Sequence, residues 1–345
     1  MAAAQKNKYL IVGPAWVGDM VMAQSLFIDL KRRRPAAEID VLAPAWTGAL
    51  VDRMPQVNAL IAADFKHGKL SFGERYRLGK RLRNSHYSHA MVLPNSLKSA
   101  LVPAIAKIPQ RIGYIGEQRW GLLNDIRKLD ETHLSMTVQR FVALGLGSQD
   151  PTPEIQSITP PHLQVDAAQV ARVVEKNGLR LDTPVLVLCP GAEFGESKKW
   201  PARYYAEVAQ HYQAKGWKVW LMGSEKDLPD CQLIDQTTTT RCHILAGKTS
   251  LPEAIDLISC ADLVVSNDSG LMHVAAALQK PLVAVYGSTD PAHTPPLGDK
   301  HKIARLDLDC SPCFKRQCPL EHLNCLNNLS SDMVVEYATQ LGLEK

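Results

Sequence analysis

The stretch Tyr9-Leu10-Ile11-Val12-Gly13-Pro14-Ala15-Trp16-Val17-Gly18-Asp19-Met20 decides the fold. An apolar run over 9–13 has strand character, a glycine-containing turn follows, and a helical stretch opens at once over 19–34. A strand that feeds a helix through a tight turn is the opening of a parallel β-α-β unit. Outward from it the alternation continues: residues 39–42, 59–62 and 90–93 read as strands, and 72–84 and 97–107 as helices. A proline-rich stretch with Pro151, Pro153, Pro160 and Pro161 reads as a linker. Beyond it the pattern starts again, with strands at 185–188, 218–222, 263–266 and 282–286. Helices are expected at 165–177, 202–215, 251–260 and 271–278, and a last one at 332–341. The expected fold class is α/β: two Rossmann-like doubly wound domains facing across a cleft, in which ligands sit beyond the carboxyl ends of the strands.

Length supports two domains. The 345 residues exceed one ordinary core, and 46% hydrophobic with 21% charged residues describes chains that bury cores rather than disordered ones. No apolar run approaches the roughly 20 residues that span a bilayer, and residues 1–8 lack the apolar stretch of a secretory signal, so a cytoplasmic location is expected. The net charge of +4 is unevenly placed. Residues 1–165 hold 21 Lys/Arg against 13 Asp/Glu, and the remainder 18 against 22. The first half therefore favours an anionic partner. Its dense run (Lys66, Lys69, Arg75, Arg77, Lys80, Arg81, Arg83) and the cluster Lys31-Arg32-Arg33-Arg34 read as solvated helix faces or as a surface for phosphorylated lipid. No helix-turn-helix, zinc-finger or aromatic RNA-binding signature accompanies the charge, so nucleic acid is not an expected partner.

Three strand-end blocks carry candidate chemistry. In Gly13–Met20, Asp19 falls in the first helical turn, where the helix dipole stabilises an acid. The residues alone favour a capping role there, with a general base as the alternative. The G-x-G-x-x-G dinucleotide spacing is absent. The second block, Cys189-Pro-Gly-Ala-Glu-Phe-Gly-Glu-Ser-Lys-Lys-Trp-Pro201, is a glycine-containing loop with Lys198 and Lys199 next to a helix start. It suits an anionic phosphate or, more plainly, is a surface loop whose Trp200 packs on the helix. The third, Ser266-Asn-Asp-Ser-Gly-Leu-Met-His273, again joins strand to helix. The N–H groups of Ser269 and Gly270 suit a pyrophosphate, Asp268 suits a sugar hydroxyl, and His273 lies one turn along. Glu225, after the strand at 218–222, is placed to hold a ribose hydroxyl pair. Together these make a nucleotide-diphosphate pocket in the second half.

With GPAWVGDM at 13–20, PNSLKSALVP at 94–103, RIGY at 111–114, GLLND at 121–125, the PGAEFG and KKWP blocks within 189–201, and NDSGLMHVAAAL at 267–278, the chain resembles the ADP-heptose:lipopolysaccharide heptosyltransferases over essentially its whole length. The PGAEFG and PNSLKSAL segments favour the branch that adds the second inner-core heptose over the branch that adds the first. The resemblance implies GT-B architecture, with an acceptor domain at 1–162 and a donor domain at 163–330. A final helix within 331–345 is expected to pack back on the first domain. It implies an inverting, metal-independent transfer of L-glycero-D-manno-heptose from ADP-heptose to a lipid A–Kdo–heptose acceptor. Asp19 is then the general base, and Lys198, Glu225, Asp268, Ser269, Gly270 and His273 bind the donor. Lys98, Arg111 and Arg119, by charge and position, are candidates for the acceptor's carboxylates and phosphates. Peripheral contact with the cytoplasmic face of the inner membrane, through the basic run, completes the expectation. A nucleotide-sugar epimerase shares the architecture but leaves the basic first half unexplained, and a non-catalytic nucleotide-sugar binder leaves Asp19 unexplained.

Four of the eight cysteines are clustered: Cys310, Cys313, Cys318 and Cys325 give C-x2-C-x4-C-x6-C. Such spacing suits a structural zinc, with His322 as an alternative ligand, or four free thiols or a disulfide. The cluster lies outside the donor blocks, so no catalytic metal is expected. Cys189, Cys231, Cys242 and Cys260 read as ordinary reduced thiols.

Overall fold

The computed structural model describes residues 7–65, 68–147, 150, 153–154 and 157–342. Lys66 of the basic run and Pro151 of the expected linker lie outside them. The chain divides into two compact units, Met1–Pro161 and His162–Lys345.

The first unit runs β1 (Lys8–Val12), α1 (Val17–Arg33), β2 (Glu38–Ala43), α2 (Gly48–Val51), β3 (Ala59–Ala62), α3 (Phe72–Leu82), β4 (His89–Val92), α4 (Leu101–Ile105), β5 (Gln110–Tyr114), β6 (Asp125–Arg127) and α5 (Thr137–Gly145). Its sheet has the order β3-β2-β1-β4-β5-β6, all pairs parallel. The central strand β1 is flanked on both sides, with Val12 in register with Leu42 and Val92. Its apolar residues are buried accordingly, each Leu, Ile or Val worth roughly 1.5–3 kcal/mol. Helix α1 buries Met20, Leu26, Phe27 and Leu30 and packs against α5. The Lys31–Arg34 cluster closes α1, where cations offset the helix dipole. Arg32 and Arg33 pair with Asp29 at 2.9 and 2.5 Å, and Arg34 donates to the Tyr9 hydroxyl at 2.7 Å. That cluster therefore serves the helix end.

The second unit runs α6 (Ala167–Lys176), β7 (Val185–Cys189), α7 (Ala202–Ala214), β8 (Lys218–Leu221), α8 (Leu228–Thr237), β9 (His243–Ile244), α9 (Leu251–Ile258), β10 (Leu263–Asn267), α10 (Gly270–Ala277), β11 (Leu282–Val285), β12 (His301–Ala304), α11 (Asn324–Asn327) and α12 (Ser331–Thr339). The order β12-β11-β10-β7-β8-β9 is again all parallel. Numbered within each unit, both sheets read 3-2-1-4-5-6. The winding direction reverses between β1 and β4 in one unit and between β7 and β10 in the other, the two places where such sheets open a crevice for ligand. Helix α12 packs on α7, β11 and β12 of its own unit.

The elements that sequence reading passed over are short or polar. Strand β5 is QRIGY, β9 has two residues, β12 is HKIA, and α8 carries a mixed LPDCQLIDQT. Each is held by pairing with, or packing on, a strongly apolar neighbour. No helix among the described residues is long and apolar enough to cross a membrane.

Candidate functional site

At the reversal point of the second unit, the loop after β7 and the turn after β10 meet. Asn267, the last residue of β10, joins them: its amide donates to Pro190 O at 2.6 Å, and its oxygen accepts from Trp200 N at 3.1 Å and the Tyr205 hydroxyl at 2.9 Å. Trp200 and Tyr205 are buried in the core behind the loop, and the Trp200 indole donates to Leu329 O at 2.9 Å. The plainer reading of Trp200, as a packing residue, is thus correct, and it holds the loop that carries Lys198.

Lys198 reaches across this junction. Its ammonium stands 2.5 Å from Asp268 Oδ2, and Thr289 Oγ1 donates to the same oxygen at 2.5 Å. Both charged side chains are nearly excluded from water, at 13% and 4% exposure. Asp268 therefore orients the lysine. A buried charge pair persists only where its geometry and extra hydrogen bonds offset desolvation, and Thr289 supplies one such bond. Ser269 and Gly270 begin α10, and Ser269 makes no side-chain cap there. The first N–H groups of a helix have no intrahelical acceptor, so they are available to an anion beside the Lys198 ammonium. His273 is buried one turn in. Burial drives its pKa down to about 4 against the opposing pull of Asp268, with Lys198 lowering it further. It is a neutral imidazole at physiological pH, a hydrogen-bonding group and not a cation.

Two glycines let this loop close. A Cβ on Gly191 would stand 2.3 Å from the Asp227 carboxyl carbon. Gly195 has φ +152°, and a Cβ there would stand 2.5 Å from Arg316 O. Glu225 lies exposed in the short turn after β8, which Asp227 closes by accepting from Ser224 N at 2.8 Å. Since β8 neighbours β7, Glu225 shares the strand-end edge with Lys198.

In the first unit, Asp19 is the third residue of α1 and partly buried, and the N-cap position belongs to Trp16, which makes no side-chain cap. Its place in the first turn puts its carboxylate where the helix dipole stabilises it. Across the reversal point, the loop after β4 carries Lys98, partly exposed in a single 3-10 turn. The other two basic candidates hold backbone carbonyls. Arg111 sits near the amino end of β5, away from the ligand edge, with Nε donating to Leu122 O and Nη1 to Ile108 O, both at 2.6 Å. Arg119 is buried and donates to Pro94 O at 2.7 Å and to Tyr114 O. It ties together the loops after β4 and β5, as does Glu117, which accepts from Leu97 N at 2.9 Å. Arg119 therefore shapes the Lys98 loop from behind.

The model of glycosyltransferase family 9 (heptosyltransferase) matches residues 75–324. The chain belongs to this family. It is 46% identical over 306 residues to lipopolysaccharide heptosyltransferase 2 of Salmonella typhimurium, covering 87% of this chain and 88% of that one. Identity to lipooligosaccharide heptosyltransferase 2 of Haemophilus ducreyi is 43% over 346 residues, 97% and 99% of the two chains. The solved structure of Escherichia coli ADP-heptose lipopolysaccharide heptosyltransferase II is similar at TM-score 0.86 and 41% identity, over 97% of this chain and 98% of that one. The paired parallel sheets of this family 9 glycosyltransferase are thus of the GT-B type expected from its sequence.

The cysteine cluster of this family 9 chain lies beside the loop after β7. Cys310, Cys313, Cys318 and Cys325 line one cavity of about 20 Å³ with Ser197 and Ser288. All eight cysteines are free thiols. Among the described residues no group of three or more His, Cys, Asp or Glu is arranged to hold a metal ion. His322 Nδ1 accepts from Asn324 N at 3.0 Å. The segment grips the loop after β7 and the turn after β11: Ser197 N donates to Arg316 O at 3.3 Å, the Arg316 guanidinium lies over the Phe194 ring, and Phe314 N donates to Ser288 O at 2.7 Å. An Asp-x-Asp spacing is present, against the expectation from the sequence that there is none: Asp307-Leu-Asp309 follows β12, with Asp307 paired to Arg305 at 3.1 Å. Also missed were Thr289 and Asn267. Thr289 sits in the Gly287-Ser-Thr turn after the apolar strand β11, the same strand-end signal that marked the other blocks. Asn267 lay inside a quoted block without a role.

Proposed function

We propose that this glycosyltransferase moves L-glycero-D-manno-heptose from ADP-heptose to the first heptose of the lipopolysaccharide inner core, on the cytoplasmic side of the inner membrane. The observation that carries the reading is the Lys198–Asp268–Thr289 junction beside the start of α10. It presents one oriented ammonium and unpaired backbone N–H groups at the reversal point of a doubly wound sheet, an arrangement matched to a diphosphate.

The chemistry is a single displacement. The acceptor hydroxyl oxygen forms a bond to the anomeric carbon as the bond from that carbon to the diphosphate oxygen breaks, which inverts the centre. Asp19 accepts the hydroxyl proton, general-base assistance typically worth 10²–10⁴-fold. Negative charge grows on the departing ADP, and Lys198 with the Ser269 and Gly270 amides meets it there. Preorganised donors aimed at developing charge are commonly the largest catalytic contribution. No step in this scheme uses a metal. His273, neutral, supports the donor as a hydrogen-bonding group, Glu225 takes the ribose hydroxyls, and Lys98 meets the acceptor's anionic groups. Arg111 and Arg119 act through the loops they hold.

The test is transfer from ADP-heptose to core acceptors carrying no heptose, one or two, with EDTA present. Transfer confined to the one-heptose acceptor is expected. Preference for the heptose-free acceptor would move the enzyme to the first heptosyl transfer. Absence of transfer to all three would favour an epimerase or a binding protein, and loss on EDTA addition would overturn the metal-free scheme.

A further inference from the structure

Of the six tryptophans, the three in the second unit are packed and the three in the first are not. Trp200 and Trp220 are buried, and Trp217 lies partly buried against the Tyr212 ring at 4.8 Å. Trp16, Trp46 and Trp120 are 53, 42 and 66% exposed, and they stand on connections that leave the carboxyl ends of β1, β2 and β5. That is the end at which a doubly wound sheet takes its ligand. Leaving an indole in water forfeits the stabilisation that burial gives, so three of them at one end of one unit call for an explanation. Trp16 is the one that neither packing nor local structure accounts for. It holds the N-cap position of α1 in an extended conformation, φ −117° and ψ 143°. Ser, Thr, Asp or Asn suit that position, because their side chains accept from a first-turn N–H. An indole has a donor and no acceptor, and Trp16 makes no side-chain cap. Its place is nonetheless fixed. Gly13 N donates to Leu42 O at 2.9 Å, a Cβ on Gly13 would stand 2.8 Å from Met20 Cε, and Met20 N donates to Trp16 O at 2.9 Å. Asp19 follows in the first turn of the same helix. Trp46 stands in the short turn after the adjacent strand β2. Asp64 holds that turn by accepting from Ala45 N at 2.8 Å, and buried Thr47 by donating to Pro44 O at 2.7 Å.

We propose that Trp16 and Trp46 form a stacking platform for the acceptor sugar, with the pyranose ring whose hydroxyl Asp19 deprotonates lying on the Trp16 indole. One face of a pyranose ring is a patch of C–H groups that carry partial positive charge, and the face of an indole is negative. Stacked in this way, the hydroxyls around the edge of the ring stay free to reach a carboxylate. The surroundings select a sugar over an acyl chain or a protein. Ala15 and Ala45 are exposed beside the two indoles, and among the described residues of either connection no other large apolar side chain is exposed. Each indole is therefore a single flat face and not part of a continuous apolar strip. The Asp19 carboxylate, within one helical turn, repels an anionic headgroup. An indole is rigid and loses little freedom on binding, so a ring held on Trp16 presents its hydroxyl to Asp19 in one orientation. The inference rests on the acceptor proposed above for the identity of the sugar, but not for its binding readout.

Trp16→Ser tests it, because the substitution removes the indole and supplies a capping hydroxyl at the same position. Tm should be held or raised, by up to about 4 °C. The KM for a deacylated one-heptose core acceptor should rise by about tenfold or more, while the KM for ADP-heptose stays within about twofold. Trp16→Phe keeps an aromatic face and should raise the acceptor KM by only about threefold, and Trp46→Ala by about fivefold. Titration calorimetry with the same deacylated acceptor and no donor should rank the four proteins in the same order. A wild type that does not bind the sugar, a Trp16→Ser protein that binds and uses it as well as wild type, a donor KM that rises together with the acceptor's, or a fall in Tm would each overturn the platform. Sugar binding that depends on Trp16, in a wild type that transfers heptose to no acceptor, would instead overturn the heptosyl-transfer reading and leave the platform standing.

Discussion

The Lys198–Asp268 junction makes a prediction that separates folding from catalysis. At 2.5 Å and an effective dielectric constant near 20, Coulomb attraction between the two charges is about 7 kcal/mol, most of it offset by the cost of taking both from water. Replacing Lys198 by Met removes the attraction and leaves the Asp268 carboxylate buried with Thr289 as its hydrogen-bond donor. Breaking one partner of such a pair costs about 3 kcal/mol or more. In a domain the size of the second unit, about 3 kcal/mol lowers Tm by roughly 6–12 °C. Asp268→Asn strands the lysine and should cost a similar amount. The double variant Lys198→Met/Asp268→Asn removes both charges, so it should regain stability relative to the sum of the singles, with a coupling of about 2 kcal/mol. All three proteins should lose transfer, including the restabilised double variant, because its phosphate-facing cation is gone. Scanning calorimetry and a heptose-transfer assay on the four proteins suffice. Additive losses of stability would refute the pairing as the organising contact, and an active double variant would refute Lys198 as the group that meets the leaving diphosphate.

Asp19→Asn should keep its fold and donor binding while transfer drops by about 10²–10⁴-fold; calorimetric titration with ADP separates the two, and undiminished turnover would exclude Asp19 as the base. Gly191→Val should raise the donor KM and lower Tm, since a Cβ at that position already stands 2.3 Å from the Asp227 carboxyl carbon; wild-type kinetics would show that the loop accommodates it. His273 gives a pH signature. Below about pH 6.5 the unfolded imidazole binds a proton that the buried one refuses until about pH 4. Stability conferred by the neutral form is therefore present above pH 6.5 and lost as pH falls toward 4, by up to about 3 kcal/mol. Thermal melts from pH 7.5 to 4.5 should show a steeper fall for wild type than for His273→Gln, and parallel curves would contradict it.

The doubly wound architecture was legible because its signals are local: apolar runs of four or five residues, each ending in a glycine, serine or asparagine turn. The blocks around Asp19, Lys198 and Asp268 were legible for the same reason, since strand-end turns are where parallel sheets place ligands. Strand β9, two residues long, was not, because its pairing with β8 rather than its composition makes it a strand. Arg111 and Arg119 stood out as acceptor candidates because charge is visible in a sequence, whereas the carbonyls they hold in the fold are not. Both spend guanidinium donors on carbonyls 3 to 25 residues away.

By itself, then, the sequence determined the βα alternation, the division near residue 162 and the residue types at each strand end, all set by periodicity and turn chemistry within a dozen residues. Only the tertiary structure decided that Lys198 and Asp268, 70 positions apart, share a buried bond closed by Thr289, and that the exposed aromatics of the first unit gather toward one end of it. The physical reason is strand order: β7 lies beside β10, and β1 beside β4, through crossovers whose pairing depends on the burial of whole sheets and not on any local stretch.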